Sequence, residues 1–327
     1  MSSTPIISCA AVQLDAGGLT TTRSVLAATA RFVEAAAGAG ARLVIFPAHT
    51  GTFYVAASLG LGDPFVEPWP QDRAAEAADA AREWLQAARR LASGYHVTLL
   101  PGTIVWPVDV PAPGGEGSTW PHSNEPPGSE PPSGRSPGTW HHAAPLVTPE
   151  GLVVRWQVQT HLTAAERRLG WLPGDDLRPA DTPSGRIGIL IGTDLWYPEA
   201  ARILALQDSV TLACPVAVSH PYGERHQWRG LWQQVQQNQV FGVEAGLCGS
   251  AAGGQWQSRT AAVAPVEMTA GETGWLAVLD REGDCLLTTD LDLAALQEVV
   301  CAYDIFSQLN PELYARYLPA IYERWRE

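Results

Sequence analysis

Residues 186–202 read RIGILIGTDLWYPEAAR and mark a place where a buried strand turns into a helix. The apolar run 187–191 lies between small and charged residues, which is typical of a short strand buried on both faces. Pro198 suits the first position of a helix, because its missing N–H would have no partner there in any case. Thr193 therefore lies at a strand-to-helix elbow, where enzymes often expose a nucleophile beside backbone N–H groups.

The segments before the elbow predict a β-α-β succession, which indicates an α/β fold. The predicted elements are strands at 6–14 and 42–46 around an alanine-rich helix at 21–38, an amphipathic helix at 72–93, and strands at 97–100 and 103–106. Thr20 to Thr22 supply N-cap candidates for the first helix, since threonine side chains accept hydrogen bonds from free N–H groups.

The segments around and beyond the elbow add further strands. They are expected at 144–147 and 152–159 as a hairpin, and at 210–215, 243–248, 260–265, 276–279 and 285–289, with helices at 227–241 and 292–300. A polar loop is expected between 162 and 176. A four-layer αββα sandwich, with helices outside two mixed β-sheets, accommodates this many strands in one domain.

Residues 107–137 are rich in Pro, Gly and Ser and predict an exposed insertion, because they cannot bury enough apolar area to order themselves. The predicted domain runs from 6 to 292 and contains this insertion. A helical, aromatic tail at 293–327 follows and is expected to pack on the body or on a partner subunit.

Composition restricts the classes of partner. The net charge of −13 argues against nucleic-acid and anionic-membrane partners, which require a basic face. All 21 basic residues are arginine, so no step can use a lysine amine. No run approaches the roughly 18 apolar residues of a membrane helix, and the N-terminus lacks the pattern of a signal peptide.

The cysteines are dispersed, without the paired spacing of a metal or redox motif; they are Cys9, Cys214, Cys248, Cys285 and Cys301. This pattern predicts reduced thiols in a cytoplasmic protein. No metal-ligand cluster and no glycine-rich phosphate loop is visible, so neither a metal nor a cofactor is expected.

Four short motifs occur in order along the chain. They are AVQLD at 11–15, GARLVIFP at 40–47, THL at 160–162 followed by Glu166-Arg167 and Pro173-Gly174-Asp175, and GILIGTD at 188–194 followed by Pro198-Glu199. Together they resemble the nitrilase superfamily, the carbon–nitrogen hydrolases. The resemblance runs from about residue 6 to 292 and implies the αββα fold.

The resemblance implies an acyl-transfer hydrolysis of a nitrile or amide, in which a cysteine attacks, a glutamate acts as base and a lysine stabilises the oxyanion. The corresponding positions here are Thr193, Ala48 and Gln159. A second glutamate of the family is matched by Glu166. Loss of a positioned base alone costs about 10²- to 10⁴-fold in rate, so the usual reaction is not expected.

Three functions follow from these substitutions. The first is a catalytically degenerate homologue that binds a small molecule or a partner protein. The second is an active hydrolase that uses Thr193 with Glu166. The third is a structural subunit of a hetero-oligomer; association as a homodimer or higher oligomer is also expected, because the family associates near the elbow helix and the aromatic tail suits an interface.

Several other side chains have both a functional and a structural interpretation, and the structural one is favoured for most of them. They are His49 and His161 as pocket or loop histidines, Cys214 as a buried thiol, Glu199 with Arg202 as an ion pair, Glu166 as a pocket ligand or a partner of Arg167 or Arg168, and the loop 221–224 at the pocket mouth.

Overall fold

The computed structural model describes residues 6–113, 140–219 and 224–325, which form two β-sheets with helices on their outer faces. The strands are β1 (Ile6–Asp15), β2 (Leu43–Ile45), β3 (Thr98–Leu100), β4 (Ile104–Pro107), β5 (Trp140–Val147), β6 (Val153–Val158), β7 (Trp171–Leu172), β8 (Ala180–Thr182), β9 (Gly185–Ile189), β10 (Thr211–Val216), β11 (Phe241–Ala251), β12 (Gly254–Gln257), β13 (Ala261–Val263), β14 (Trp275–Val278) and β15 (Cys285–Asp292). The helices are α1 (Thr22–Gly38), α2 (Thr50–Leu59), α3 (Ala74–Tyr95), α4 (Ala164–Arg168), α5 (Pro198–Ala205), α6 (Glu224–Gln227), α7 (Gln233–Asn238), α8 (Leu293–Ala302) and α9 (Pro311–Glu323).

The first sheet has the order β4-β5-β3-β2-β1-β15, with β6 and β7 also paired to β5. The second sheet has the order β8-β9-β10-β11-β13-β14, with β12 folded back on β11. A short parallel pairing of Leu14 with Leu247 joins the two sheets. Five strands pair in parallel within or between the sheets: β1, β2, β9, β10 and β11. Their carboxyl ends therefore lie at one edge, which is where ligands of α/β proteins bind.

Successive side chains of β1 point to opposite faces and define the layers. Ala10, Val12 and Leu14 pack against the layer of α1, α2 and α3. Cys9 and Ala11 instead join Ile187 and Ile189 of β9 in the apolar space between the two sheets. A third apolar cluster lies between the second sheet and α5 to α7. The predicted αββα sandwich is thus confirmed.

Most predicted elements lie within a few residues of the observed ones. Thr21 caps α1, since its side chain accepts a hydrogen bond from Ser24 N, and Asp292 caps α8 in the same way. The predicted insertion lies mainly outside the described residues, because 114–139 are not among them. The loop 221–224 likewise falls outside the description, except for the backbone of Glu224.

Helix α2 was not predicted from the sequence. Eight of its ten residues are buried, so it has no polar face to create a helical period. It follows directly after the buried strand β2 and carries the chain from Ala48 into the first helical layer.

The helix predicted at 227–241 is broken, so that prediction was wrong in its extent. A π-helical segment, Trp228–Trp232, separates α6 from α7, and Gly230 within it has non-helical backbone angles. A Cβ at Gly230 would lie 3.1 Å from the indole of Trp196, so the close approach of that ring favours glycine here. The kink places the start of α7 beside the elbow.

The C-terminal tail forms α8 and α9. Helix α9 has no buried residue, although it carries several large apolar side chains. Among the residues that the structure describes, every helix is too short or too polar to cross a membrane.

Replacing Gly188 by alanine should destabilise the second sheet. Its new Cβ would lie 2.9 Å from Leu204 Cδ1 and 3.0 Å from Ser209 Oγ, so β9 or α5 would have to shift. We expect a loss of about 1–3 kcal/mol in the free energy of unfolding, measured by urea denaturation.

The matched control is Gly38→Ala at the end of α1, where an added Cβ meets no atom within 4 Å. This change should leave stability unchanged or raise it by up to about 1 kcal/mol. Equal stability of the two variants would contradict the packing described for the elbow strand.

Candidate functional site

The elbow lies between β9 and α5. Gly192 has a φ of 53°, in the left-handed region that favours glycine, and begins a 3-10 turn, Gly192–Trp196. Thr193 lies half-buried on this turn. Pro198 takes the first position of α5, as predicted.

A fully buried carboxylate, Asp194, holds a second segment against the elbow. It accepts hydrogen bonds from Ile191 N at 3.1 Å, Thr160 N at 3.0 Å, His161 N at 2.7 Å and Thr160 Oγ1 at 2.8 Å. The His161 ring also contacts it, at 3.1 Å. Because backbone N–H groups supply most of these bonds, residues 159–161 are positioned beside Thr193 by the fold itself.

The fully buried Gln159 lies at the centre of the site. Its Nε2 contacts Thr193 Oγ1 at 3.0 Å, Glu166 Oε1 at 3.2 Å and the carbonyl of His161 at 2.9 Å. These contacts bring together three of the predicted site residues, Gln159, Glu166 and Thr193. Since one amide nitrogen carries two hydrogens, more acceptors than donors surround it.

The hydroxyl of Thr193 donates its proton to the carbonyl of His161 and accepts from the Gln159 amide. Neither partner is a base. In this arrangement the hydroxyl is held in a neutral hydrogen-bond network, whereas a nucleophilic hydroxyl needs a group that removes its proton.

Glu166 lies on α4, inside the segment that was predicted as a polar loop. Its Oε2 accepts from Thr163 N at 2.6 Å while Thr163 Oγ1 accepts from Glu166 N, which is a capping box. The sequence T-x-x-E at 163–166 was an available signal for this helix. Of the two interpretations left open for Glu166, the pairing with Arg167 or Arg168 is wrong, because Glu166 contacts Thr163 and Gln159 instead.

His142 on β5 completes the network and was missed by sequence reasoning. Its Nδ1 lies 2.6 Å from Gln159 Oε1, and its Nε2 is hydrogen-bonded to Thr103 Oγ1. Because Gln159 Oε1 can only accept, Nδ1 carries the proton and Nε2 accepts from Thr103. Both ring nitrogens are therefore occupied, and neither faces Thr193. Two adjacent histidines, His141 and His142, in an otherwise apolar buried strand were the available signal.

Ala48 is buried, and its side chain has no polar atom. The next residue, His49, contacts the network described above. His49 has a φ of 67°, which is uncommon for a residue other than glycine and marks a specific constraint. Its ring stacks on His142, with 4.6 Å between centroids and 23° between planes. Phe65 and Trp171 contact the same ring at 4.8 and 5.9 Å.

Burial lowers the pKa of both stacked histidines. The pKa of His49 lies well below its ordinary value because the ring is desolvated and lies beside His142. The pKa of His142 is lowered by desolvation, although the Gln159 hydrogen bond and the Glu166 and Asp194 carboxylates act in the opposite direction. Both rings are thus neutral near pH 7.

The other side chains considered from the sequence make contacts that stabilise the fold. His161 stacks on Tyr197, with centroids 3.9 Å apart, and burial raises the pKa of the Cys214 thiol well above its ordinary value. The predicted ion pair between Glu199 and Arg202 was wrong. Glu199 accepts from the hydroxyl of Tyr322, and Arg202 donates to the carbonyl of Gln237 at 2.7 Å.

In the part of the chain that the structure describes, no group of three or more His, Cys, Asp or Glu residues is arranged to hold a metal ion. The cysteines of that part are all free, and only Cys301 is exposed.

Comparisons with known proteins identify the family to which this fold belongs. The family model for carbon-nitrogen hydrolases matches residues 8–299. The chain has a TM-score of 0.72 to a carbon-nitrogen hydrolase from Helicobacter pylori G27, at 17% identity over 97% of this chain and 99% of that one. A variant of the amidase from Nesterenkonia sp. AN1 aligns with a TM-score of 0.65, at 19% identity over 95% and 97% of the two chains.

Similar sequences include a citrullinase from Francisella tularensis, 30% identical over 41% of this chain and 48% of that protein. A deaminated glutathione amidase from Rattus norvegicus is 28% identical over 53% of this chain and 54% of that protein. The chain therefore aligns with about half the length of these curated relatives. It belongs to the carbon–nitrogen hydrolase family.

Acidification should destabilise the protein through its buried histidines. A histidine with a lowered pKa in the folded state binds fewer protons than in the unfolded state, so its contribution to stability is lost as pH falls below about 6.5. The slope is at most about 1.4 kcal/mol per pH unit for each ring. Urea denaturation between pH 7.5 and 5 measures it.

His49→Asn removes one of these rings while keeping a residue type that tolerates a positive φ. The pH slope below 6.5 should be smaller in this variant. His96→Asn is the matched control, because His96 also has a positive φ but is exposed. An unchanged slope in His49→Asn would contradict a neutral, buried His49.

Proposed function

We propose that this protein is a catalytically degenerate carbon–nitrogen hydrolase, which binds a small molecule at the elbow site without hydrolysing it. The hydrogen bond from the Thr193 hydroxyl to the His161 carbonyl carries the proposal, because it leaves this hydroxyl without a base. Ala48, Gln159 and Thr193 stand for the glutamate, lysine and cysteine of the catalytic machinery in this interpretation. An amide and a methyl group cannot replace a cation and a general base.

Binding is supported by the exposure of the same site. Thr193, Glu166 and His161 are each partly accessible to solvent. Behind them, uncharged side chains form a hydrogen-bonded series from Gln159 through His142 to Thr103 and support these groups. The cytoplasmic location inferred from the dispersed cysteines stays a prediction.

An active hydrolase that uses Thr193 with Glu166 is the alternative. Two observations favour it. Several relatives are named as amidases, and the side chains of Glu166 and Thr193 both contact Gln159 Nε2. In such an enzyme the Thr193 hydroxyl would have to turn away from the His161 carbonyl and donate to a Glu166 oxygen.

Ammonia release from a panel of amides, nitriles and carbamoyl compounds separates the two functions. We expect the wild-type protein and Thr193→Ala to be indistinguishable from buffer, because the hydroxyl is not activated. Turnover that is lost in Thr193→Ala would show that the chain is an active hydrolase.

The positive control carries Ala48→Glu, Gln159→Lys and Thr193→Cys together. Ammonia release by this variant shows that the fold and the assay can report hydrolysis. An acyl adduct on Thr193, detected by mass spectrometry of the wild-type protein after incubation with the panel, would also contradict degeneracy.

We also propose self-association through α9 and the neighbouring α5. Helix α9 leaves Tyr317 53% and Ile321 43% exposed, one helical turn apart on the same side. A helix of this length is marginal in water unless tertiary packing stabilises it. Tyr322 connects it to Glu199 on α5, where Ile203 is also exposed.

Light scattering after size-exclusion chromatography should give at least twice the chain mass of 35.0 kDa. Tyr317→Glu combined with Ile321→Glu should shift the mass to that of the monomer, because two charges would enter the apolar face. Glu312→Gln on the same helix should leave the mass unchanged. A monomeric wild-type protein at micromolar concentration would exclude self-association.

A further inference from the structure

The elbow site presents more acceptors than donors to a ligand. Glu166, Thr193 Oγ1 and the carbonyl of His161 all surround the single amide nitrogen of Gln159. The Thr193 proton is already directed to the His161 carbonyl. Thr163 N donates one hydrogen bond to Glu166 Oε2. A carboxylate accepts about four hydrogen bonds, so Glu166 keeps free capacity on its accessible side.

The charges around this acceptor cluster are negative. Glu166 and Asp194 are the two charged groups that act on the neighbouring His142, and both favour its protonation. The chain contains no lysine, so only arginine or histidine could neutralise Glu166. Arg167 and Arg168 lie exposed on α4, and none of the ion pairs formed within the described residues includes Glu166.

Two aromatic side chains at the end of the elbow turn are accessible to solvent. Tyr197 stacks on His161 and remains 45% exposed, and Trp196 beside it is 36% exposed. The faces of such rings attract cations within about 6 Å. The net charge of −13 acts in the same direction at longer range.

We infer that the elbow site binds a small organic cation with several N–H donors, such as a primary ammonium or a guanidinium group. This inference rests on the proposed binding function. The cation donates to Glu166 and to the Thr193 oxygen, while its hydrocarbon part lies against the ring of Tyr197. A carboxylate ligand would instead meet Glu166 as a like charge, and a neutral amide would leave Glu166 without a counter-charge.

Isothermal titration calorimetry with butylammonium, butyramide and butyrate tests the charge preference, because the three probes have similar size and differ in charge. We expect butylammonium to bind about 10- to 100-fold more tightly than butyramide, as charge-assisted hydrogen bonds do, and butyrate not to bind. The affinity should fall as salt is raised, since the ligand and Glu166 are partly exposed.

Glu166→Gln should abolish the preference for butylammonium over butyramide. Glutamine also serves at this position of a capping box, so α4 is expected to remain folded, which circular dichroism checks. Glu76→Gln removes the same charge from the exposed face of α3 and is the matched control; it should leave the affinity unchanged.

The inference is overturned if butyramide or butyrate binds as tightly as butylammonium, if none of the probes binds at millimolar concentration, or if Glu166→Gln retains the preference. Ammonia is measured in the same samples. Its release from butyramide would overturn the proposed function, whereas tight binding of butyramide without release would overturn only the choice of ligand.

Discussion

The buried carboxylate of Asp194 is the interaction on which the site depends. It joins the elbow after β9 to the segment 159–161 by accepting hydrogen bonds from Ile191 N, Thr160 N and His161 N. A buried carboxylate without such donors would be strongly destabilising, so these elements are held at a fixed separation. None of these bonds involves residue 48 or 193 or the side chain of residue 159. The scaffold can therefore persist while the chemical groups displayed on it change.

The groups displayed here form a neutral hydrogen-bond chain. From Thr193 it passes through Gln159 and His142 to Thr103, and each member has a partner that fits its donor or acceptor character. Such a network is stable because it leaves few buried polar atoms unsatisfied. Across the described residues, the Thr193 hydroxyl has no basic group as a direct hydrogen-bond partner. Glu166 is the partly exposed charged group of the cluster, and the proposed cationic ligand would pair with it.

The sequence predicted the fold well where local signals agree with tertiary packing. The apolar strands β1 and β9, the cap at Thr21 and Pro198 at the start of α5 all have causes within a few residues. Helix α2 and the break at Gly230 have no such local cause. Helix α2 is buried on nearly every side and lacks a period, and Gly230 is determined by the indole of Trp196, which lies more than thirty positions earlier in the chain. The capping box of α4 is itself a local signal, T-x-x-E at 163–166, within a segment whose polar composition predicts a loop.

By itself, the sequence determined the architecture and the position of the elbow. Its ordered motifs predicted Ala48, Gln159, Glu166 and Thr193 as site residues, because residue identity and spacing are local information. Only the tertiary structure decided what these residues do to one another. The direction of the Thr193 proton, the tautomer of His142 and the two partners of Glu166 depend on contacts between β5, α4 and the elbow. Hydrogen bonds are short and directional, so these roles appear only when the folded chain brings distant segments within about 3 Å.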